Sequence, residues 1–178
     1  KYYIFYMLNS KPIAKGKYDQ GLYVPKNKNK VIKLNNLGGL YYRSGLEKKM
    51  MIYLDNNGQI KNWGAEHITI YYTLKSYNAK LNETTETEHR YFPDFYYELI
   101  RSDGSVVKVI AEVKPVSDTR PPVAPSNPTP KKLKNYEYSL KMWNKNLTKW
   151  KYAIEYCKMK GFEFVIITDE QLNKSFKK

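Results

Sequence analysis

The chain of 178 residues carries 31 Lys and Arg against 17 Asp and Glu, a net charge of +14 that favours a polyanionic partner such as DNA or RNA. Its length suits one hydrophobic core, and no apolar run approaches the roughly 18 residues that span a bilayer, so no membrane partner is expected. One cysteine and two histidines exclude an internal disulfide and a Cys-rich zinc site and leave little scope for histidine catalysis; the lack of a Gly-x-x-x-x-Gly-Lys-Ser/Thr loop argues against an ATP-driven motor.

Residues 1–40 are basic, rich in Tyr and Asn, and interrupted by Pro12, Pro25 and Gly38-Gly39. The apolar start, Lys1 to Leu8, is too short and too aromatic for a signal peptide. This stretch reads as an extended arm with one short strand, ahead of a single domain over residues 41–178. Ser44 opens a helix to about Asn56, with Leu46, Met50, Tyr53 and Leu54 on one face, and Asn57-Gly58 ends it. Residues 59–63 and 66–75 read as strands, where Ile68 and Ile70 alternate with Thr69 and Tyr71. Residues 76–89, carrying Glu83, Glu86 and Glu88, read as a polar loop or hairpin tip. His67 and His89 are expected to be ordinary loop or strand residues, and most of the 18 tyrosines half-buried sheet residues.

Strands are expected near 90–101 and 105–114, joined by Ser102-Asp103-Gly104. A three-residue loop with glycine in the left-handed position fixes the register. Centred on Asp103, it sets Glu98 opposite Lys108, Tyr97 opposite Val109 and Leu99 opposite Val107, and carries on to Asp94 opposite Glu112. A two-residue Asp-Gly turn would instead set Leu99 against Lys108 and waste both faces.

Six of the nine prolines fall between residues 115 and 130, the signature of an extended, semi-rigid connector. Lys131 to Lys160 is a very basic stretch of one long or two consecutive helices, in which Cys157 packs as a small hydrophobe, and Gly161 closes it. Phe162 to Thr168 reads as a buried strand and Asp169 to Phe176 as a short helix. The fold class is therefore α/β, a central mixed sheet flanked by helices with an N-terminal arm.

Glu112 and Lys114, two apart on a strand, share one face, and the register brings Asp94 to them. Such a group is either a surface salt bridge or a cation site with a lysine beside it. Glu47, three residues after Ser44, completes a capping box and would also reach a cation shared with the hairpin. Glu66 is an accessory acid near that site or an exposed strand start.

Ser44-Gly45-Leu46-Glu47, Pro93-Asp94-Phe95 and Glu112-Val113-Lys114 resemble the motifs of the PD-(D/E)xK nuclease superfamily. Longer stretches resemble the head completion nucleases of T-even phages: Gly21 to Asn27, Tyr42-Arg43-Ser44, Trp63-Gly64-Ala65-Glu66, Arg90-Tyr91-Phe92, Thr119 to Val123, Lys149-Trp150-Lys151 and Thr168-Asp169-Glu170. The resemblance implies a restriction-endonuclease-like core and a deoxyribonuclease that trims packaged double-stranded DNA during head completion and head–tail joining. It implies Mg²⁺, or Mn²⁺ in its place, on Asp94, Glu112 and the Val113 carbonyl. Lys114 would orient the attacking water, and Glu47 would serve a second ion or a proton. Lys149, Lys151, Arg43 and Arg90 are candidates for DNA contact. Implied partners are portal, neck or head-completion proteins, in the host cytoplasm during assembly and in the virion neck. The competing readings are a structural neck protein that holds DNA on the same fold, and a junction or transposon-end nuclease.

Overall fold

In the computed structural model, which describes residues 19–78 and 82–176, strands β1 (Gly21–Tyr23) and β2 (Leu40–Tyr42) precede helix α1 (Gly45–Asn56). Strands β3 (Ile60–Ala65), β4 (Ile70–Asn78), β5 (Glu83–Tyr91), β6 (Phe95–Ile100) and β7 (Val106–Lys114) follow. Helix α2 (Pro130–Lys160), strand β8 (Glu163–Thr168) and helix α3 (Asp169–Ser175) complete the order. The readings of residues 1–18 lie outside the described residues.

The β6–β7 turn sets the frame. Gly104 is left-handed at φ 82°, its N–H donates to the Arg101 carbonyl at 3.0 Å, and the Asp103 carboxylate accepts from the Ser105 amide at 2.9 Å. Glu98 faces Lys108, Tyr97 faces Val109 and Leu99 faces Val107, as the turn requires. The four-stranded sheet runs β3-β6-β7-β8, antiparallel except for the parallel β7–β8 pair.

Alternation along β6 and β7 then separates two cores. Phe95, Tyr97, Val109, Ala111 and Val113 pack with Met50, Met51 and Leu54 of α1 and with Trp63. Tyr96 and Ile110, on the opposite face, pack with Ala153 and Cys157 of α2 and with Ile70, Tyr72 and Tyr91. Glu112 and Lys114 continue the second set, so the charged end of β7 belongs to the face that α2 covers.

Both large helices start on side-chain caps. Ser44 accepts from the Glu47 amide at 3.1 Å, and Thr129 accepts from the Lys132 amide at 3.3 Å with Pro130 in the first turn. α2 is one helix of 31 residues, closed by left-handed Gly161 at φ 67°. α1 ends at Asn56 as expected, with Asn57 extended and Gly58 not left-handed.

Four local expectations are corrected. Residues 76–78 and 83–89 are strand rather than polar loop: β4 and β5 pair from Ile70↔Tyr91 to Asn78↔Glu83 as a long hairpin ribbon, and residues 79–81 lie outside the described residues. Thr84, Thr85 and Thr87 are strand formers, and the Lys75–Glu86 ion pair at 2.8 Å crosses the ladder. The strand expected over 90–101 is cut into β5 and β6, because Pro93 has no N–H to offer a ladder and the chain changes sheets there. The strand expected from residue 66 begins at Ile70, since Glu66 turns left-handed at φ 47°. Lastly, β8 is a half-buried edge strand rather than a fully buried one.

The stretch before α1 is fastened to the core. Asp55, fully buried near the end of α1, accepts from the Tyr23 hydroxyl at 2.8 Å and from the amides of Lys26 and Asn27 at 2.8 and 3.0 Å. Burial pushes the Asp55 carboxyl upward, but those three donors outweigh it and hold it below its ordinary value. The Ile32 amide adds a bond to the Trp63 carbonyl at 2.9 Å.

Candidate active site

β7 ends in a buried carboxylate whose oxygens are both engaged. Glu112 is 4 % exposed; the Tyr91 hydroxyl donates to Oε2 at 2.6 Å and the Lys114 ammonium lies 2.9 Å from Oε1. A buried charge without such partners would cost on the order of several kcal/mol, because the ion loses its water and gains nothing in return. Burial alone would push Lys114 down, yet Glu112 and Asp94 prevail and hold its ammonium above the ordinary value.

Asp94 is fixed from two sides. Its Oδ2 accepts from the Val113 amide at 2.9 Å, and its carbonyl accepts from the Glu66 amide at 3.1 Å. The paired ladder stops at Phe95↔Ala111, one residue short of the expected Asp94–Glu112 pair, and the aspartate side chain bonds to the β7 backbone there. Burial and the negative charge of Glu112 push the Asp94 carboxyl up to about 7, against the pull of Lys114 and the Val113 amide. Two acids and one lysine therefore share a site in which both carboxylates are not comfortably ionised together.

Glu66 contributes through the backbone. A left-handed conformation costs a residue with a Cβ roughly 1–2 kcal/mol. Here it is held by the bond to the Asp94 carbonyl and by Arg43, whose guanidinium grips the Glu66 carboxylate with two bonds of 2.6 and 3.2 Å. Strain of this sort is retained where the surroundings over-determine it. Its effect here is to pin the turn after β3 against Asp94.

Glu47 stands across a small cavity of about 160 Å³ lined by Arg43, Glu47, Glu66 and Asp94. The expected capping box is only half formed, because the Glu47 carboxylate accepts from the Arg43 amide at 2.8 Å, one residue before the cap, and from the Ser44 hydroxyl at 3.1 Å instead of from the Ser44 amide. Among the described residues, no three acidic, His or Cys side chains converge on one metal position. The arrangement nevertheless fits a hard divalent cation, because Mg²⁺ is ordinarily held by one or two carboxylates with water and phosphate completing its shell. The mutual repulsion of Asp94 and Glu112 is the feature that such an ion would relieve.

The candidate DNA contacts separate. Lys149, half-buried on α2, places its ammonium 5.1 Å from the Tyr91 ring centroid. Burial holds it below its ordinary value; Lys145 and Lys114 act in the same direction, and Glu112 and Asp94 oppose them. Lys151, two residues on, lines a different groove with Leu147, Ile154 and Phe164. Arg90 is exposed on β5 and stacks 5.9 Å from the Phe92 ring centroid. Arg43 borders the small cavity but is paired with Glu66. Tyr91 received no role from the sequence: its hydroxyl meets Glu112 only because β5 crosses to the α2 face of the sheet. Cys157 packs in that face as expected, and burial pushes its thiol up to about 11.

A four-stranded mixed sheet with helices on both faces is the core of a restriction-endonuclease-like fold, and Asp94, Glu112 and Lys114 lie together at the end of its hairpin. Residues 57–169 match the family described as TnsA-like endonuclease N terminal, and the chain belongs to it. This is an endonuclease family of restriction-endonuclease-like fold within the PD-(D/E)xK superfamily. The chain is also 32 % identical over 152 residues to the head completion nuclease of Enterobacteria phage T4, a match that covers 85 % of this chain and 92 % of that protein. No solved structure matches it.

Proposed function

We propose that the chain is a divalent-metal-dependent deoxyribonuclease of phage head completion, cleaving packaged double-stranded DNA with Asp94, Glu112 and Lys114. The observation that carries this reading is the buried pair of carboxyls, with Asp94 pushed up to about 7 by burial and next by the charge of Glu112, and a lysine bonded to Glu112. Asp94 and Glu112, with the Val113 carbonyl beside them, would hold Mg²⁺ or Mn²⁺. Bound there, the ion would supply charge neutralisation at the phosphate and acidify a water.

The residues of the chain supply the rest. Lys114 swings from Glu112 to the phosphate oxygens as negative charge grows on them, and orients the water that attacks phosphorus. Tyr91 keeps its hold on the second oxygen of Glu112, which fixes that carboxylate's plane while Lys114 is away. The Val113 amide and the Glu66 turn keep Asp94 from rotating out. Glu47 is assigned the second ion or the departing proton. Lys149 supplies a cation for the DNA backbone beside the site, and the net charge of +14 draws the polyanion in.

The head-completion role, with trimming of packaged DNA, contact with portal or neck proteins and residence in the host cytoplasm or virion neck, is supported by the likeness to the phage T4 protein. That match spans 152 residues and is longer than the stretch 57–169 on which a transposon-end reading would rest.

The test is cleavage of plasmid DNA by purified protein. Nicking or degradation is expected with Mg²⁺ or Mn²⁺ and none in EDTA. Lys114→Ala is expected to slow turnover roughly a hundred- to a thousandfold, with DNA affinity almost unchanged. Folded protein that never cleaves would leave the structural DNA-holding reading in its place, and normal cleavage by Lys114→Ala would reduce the lysine to a salt-bridge partner.

A further inference from the structure

Beside Lys114, on the side away from α1, the proline-rich connector and the middle of α2 border a cleft of about 580 Å³. Three cations line it, Lys114, Arg120 and Lys149, against a single carboxylate, Asp118. Two aromatic rings line it as well. Tyr138 is 67 % exposed although it lies on a wall of the cleft, and Trp143 is half-buried with its ring held edge-on against Trp150 at 5.8 Å. Tyr138, Met142, Asn146 and Lys149 recur at helical spacing, so one stripe of α2 runs from the aromatic end of the cleft to the catalytic end.

The opposite wall is rigid. The Val116 amide donates to the Asp169 carboxylate at 2.9 Å, which ties the connector to the start of α3, and the Thr119 hydroxyl donates to the Val116 carbonyl at 2.8 Å. Pro122 then faces the helix across the cleft. The volume suits a ligand of nucleotide size and is far too small for a duplex. Flat rings for a base and cations for its phosphates, beginning at the lysine that serves the cleaved phosphate, are the elements by which proteins hold unpaired nucleic acid.

We infer that this cleft seats one unpaired nucleotide adjoining the cleaved phosphate, its base stacked on Tyr138 and Trp143 and its backbone held by Arg120 and Lys149. The inference rests on the nuclease reading above for its neighbouring phosphate. The nucleotide would come from a single-stranded tail at a duplex end or from a base turned out of a duplex.

The experiment measures binding in EDTA, by fluorescence anisotropy, of a blunt duplex and of the same duplex with a short single-stranded tail. A 2-aminopurine is placed in each beside the junction or duplex end. Wild-type protein is compared with Tyr138→Ala and Tyr138→Phe. Tyr138→Ala is expected to weaken binding of the tailed DNA by roughly 5- to 150-fold, the range for loss of one base–aromatic stack. Tyr138→Phe, which keeps the ring, is expected to bind like wild type.

A loss confined to tailed DNA identifies the tail as the source. An equal loss on blunt DNA, with 2-aminopurine fluorescence rising when wild type binds, identifies a flipped base. Unchanged binding by Tyr138→Ala, equal damage from Tyr138→Phe, or equal loss on both DNAs without a 2-aminopurine change would overturn the inference. Cleavage with Mg²⁺ is scored separately on wild type. Cleavage without any Tyr138 effect leaves the nuclease and removes the cleft; Tyr138-dependent binding without cleavage does the reverse.

Discussion

Replacing Asp94 by Asn should make the metal-free protein more stable at neutral pH, an unusual outcome for a change at a position proposed to be catalytic. The Asp94 carboxyl lies at about 7 instead of its ordinary 3.8, first because it is buried and next because Glu112 is charged beside it. A carboxyl raised on folding binds a proton in the native state while the unfolded chain has released it. Stability therefore falls as pH climbs through the window from about 4 to about 7, and is flat above it. At about 1.4 kcal/mol per pH unit, a gap of about three units sets a ceiling of about 4 kcal/mol. Asp94 is not wholly shielded from solvent, so about 2 kcal/mol is the working expectation.

Asparagine is nearly isosteric, and its oxygen still accepts from the Val113 amide, so the substitution removes charge with little change of packing. Urea unfolding in EDTA at pH 5 and pH 8 measures the effect. The variant should exceed wild type by about 2 kcal/mol at pH 8, and the two should converge towards pH 5 and below. Other acids shift the absolute curves, Asp55 among them with the opposite sign, but they cancel in the difference between the two proteins. Mg²⁺ should stabilise wild type and leave Asp94→Asn almost unmoved. Equal pH dependence in both proteins would show that Asp94 and Glu112 do not repel, and would remove the argument for a shared cation.

Asp55→Ala removes the acceptor for Tyr23, Lys26 and Asn27 and should cost about 3 kcal/mol in unfolding experiments, because buried donors are left unpaired; it should also free the stretch around Tyr23 for early proteolysis. Lys149→Gln should weaken DNA binding and lower the salt slope by about one unit, whereas Lys151→Gln, in the groove away from the catalytic face, should leave both as they are, as measured by affinity titrations across a salt series.

Much of the site could be read from one dimension, because its parts are fixed locally. Gly104 in the turn sets the β6–β7 register whatever else the chain does, so the pairing of Glu98 with Lys108 and the shared face of Glu112 and Lys114 follow from counting. Ser44 caps, and Gly161 closes, for reasons confined to a few residues. The same locality explains the errors. The Thr and Glu residues over 83–88 look polar, and they become a strand only because β4 is there to pair with them. Pro93 could have signalled the break between β5 and β6, since a residue without an N–H cannot sit in a continuing ladder.

What remained hidden depends on which surfaces meet. Lys149 and Lys151 are equivalent in the sequence, but two helical positions turn them about 200° apart, and of the two Lys149 faces Tyr91, Glu112 and Lys114. Tyr91 orients Glu112 across 21 residues, Asp55 gathers donors some 30 positions away, and the Arg43–Glu66 grip secures Asp94 without touching its carboxylate. The elevated protonation of Asp94 belongs to the same class, for it needs burial and a second charge together. Sequence thus determined the acids, the lysine and the register that aligns them; the tertiary structure alone decided what holds them, since desolvation and long-range contact exist only once the two helices close over the sheet.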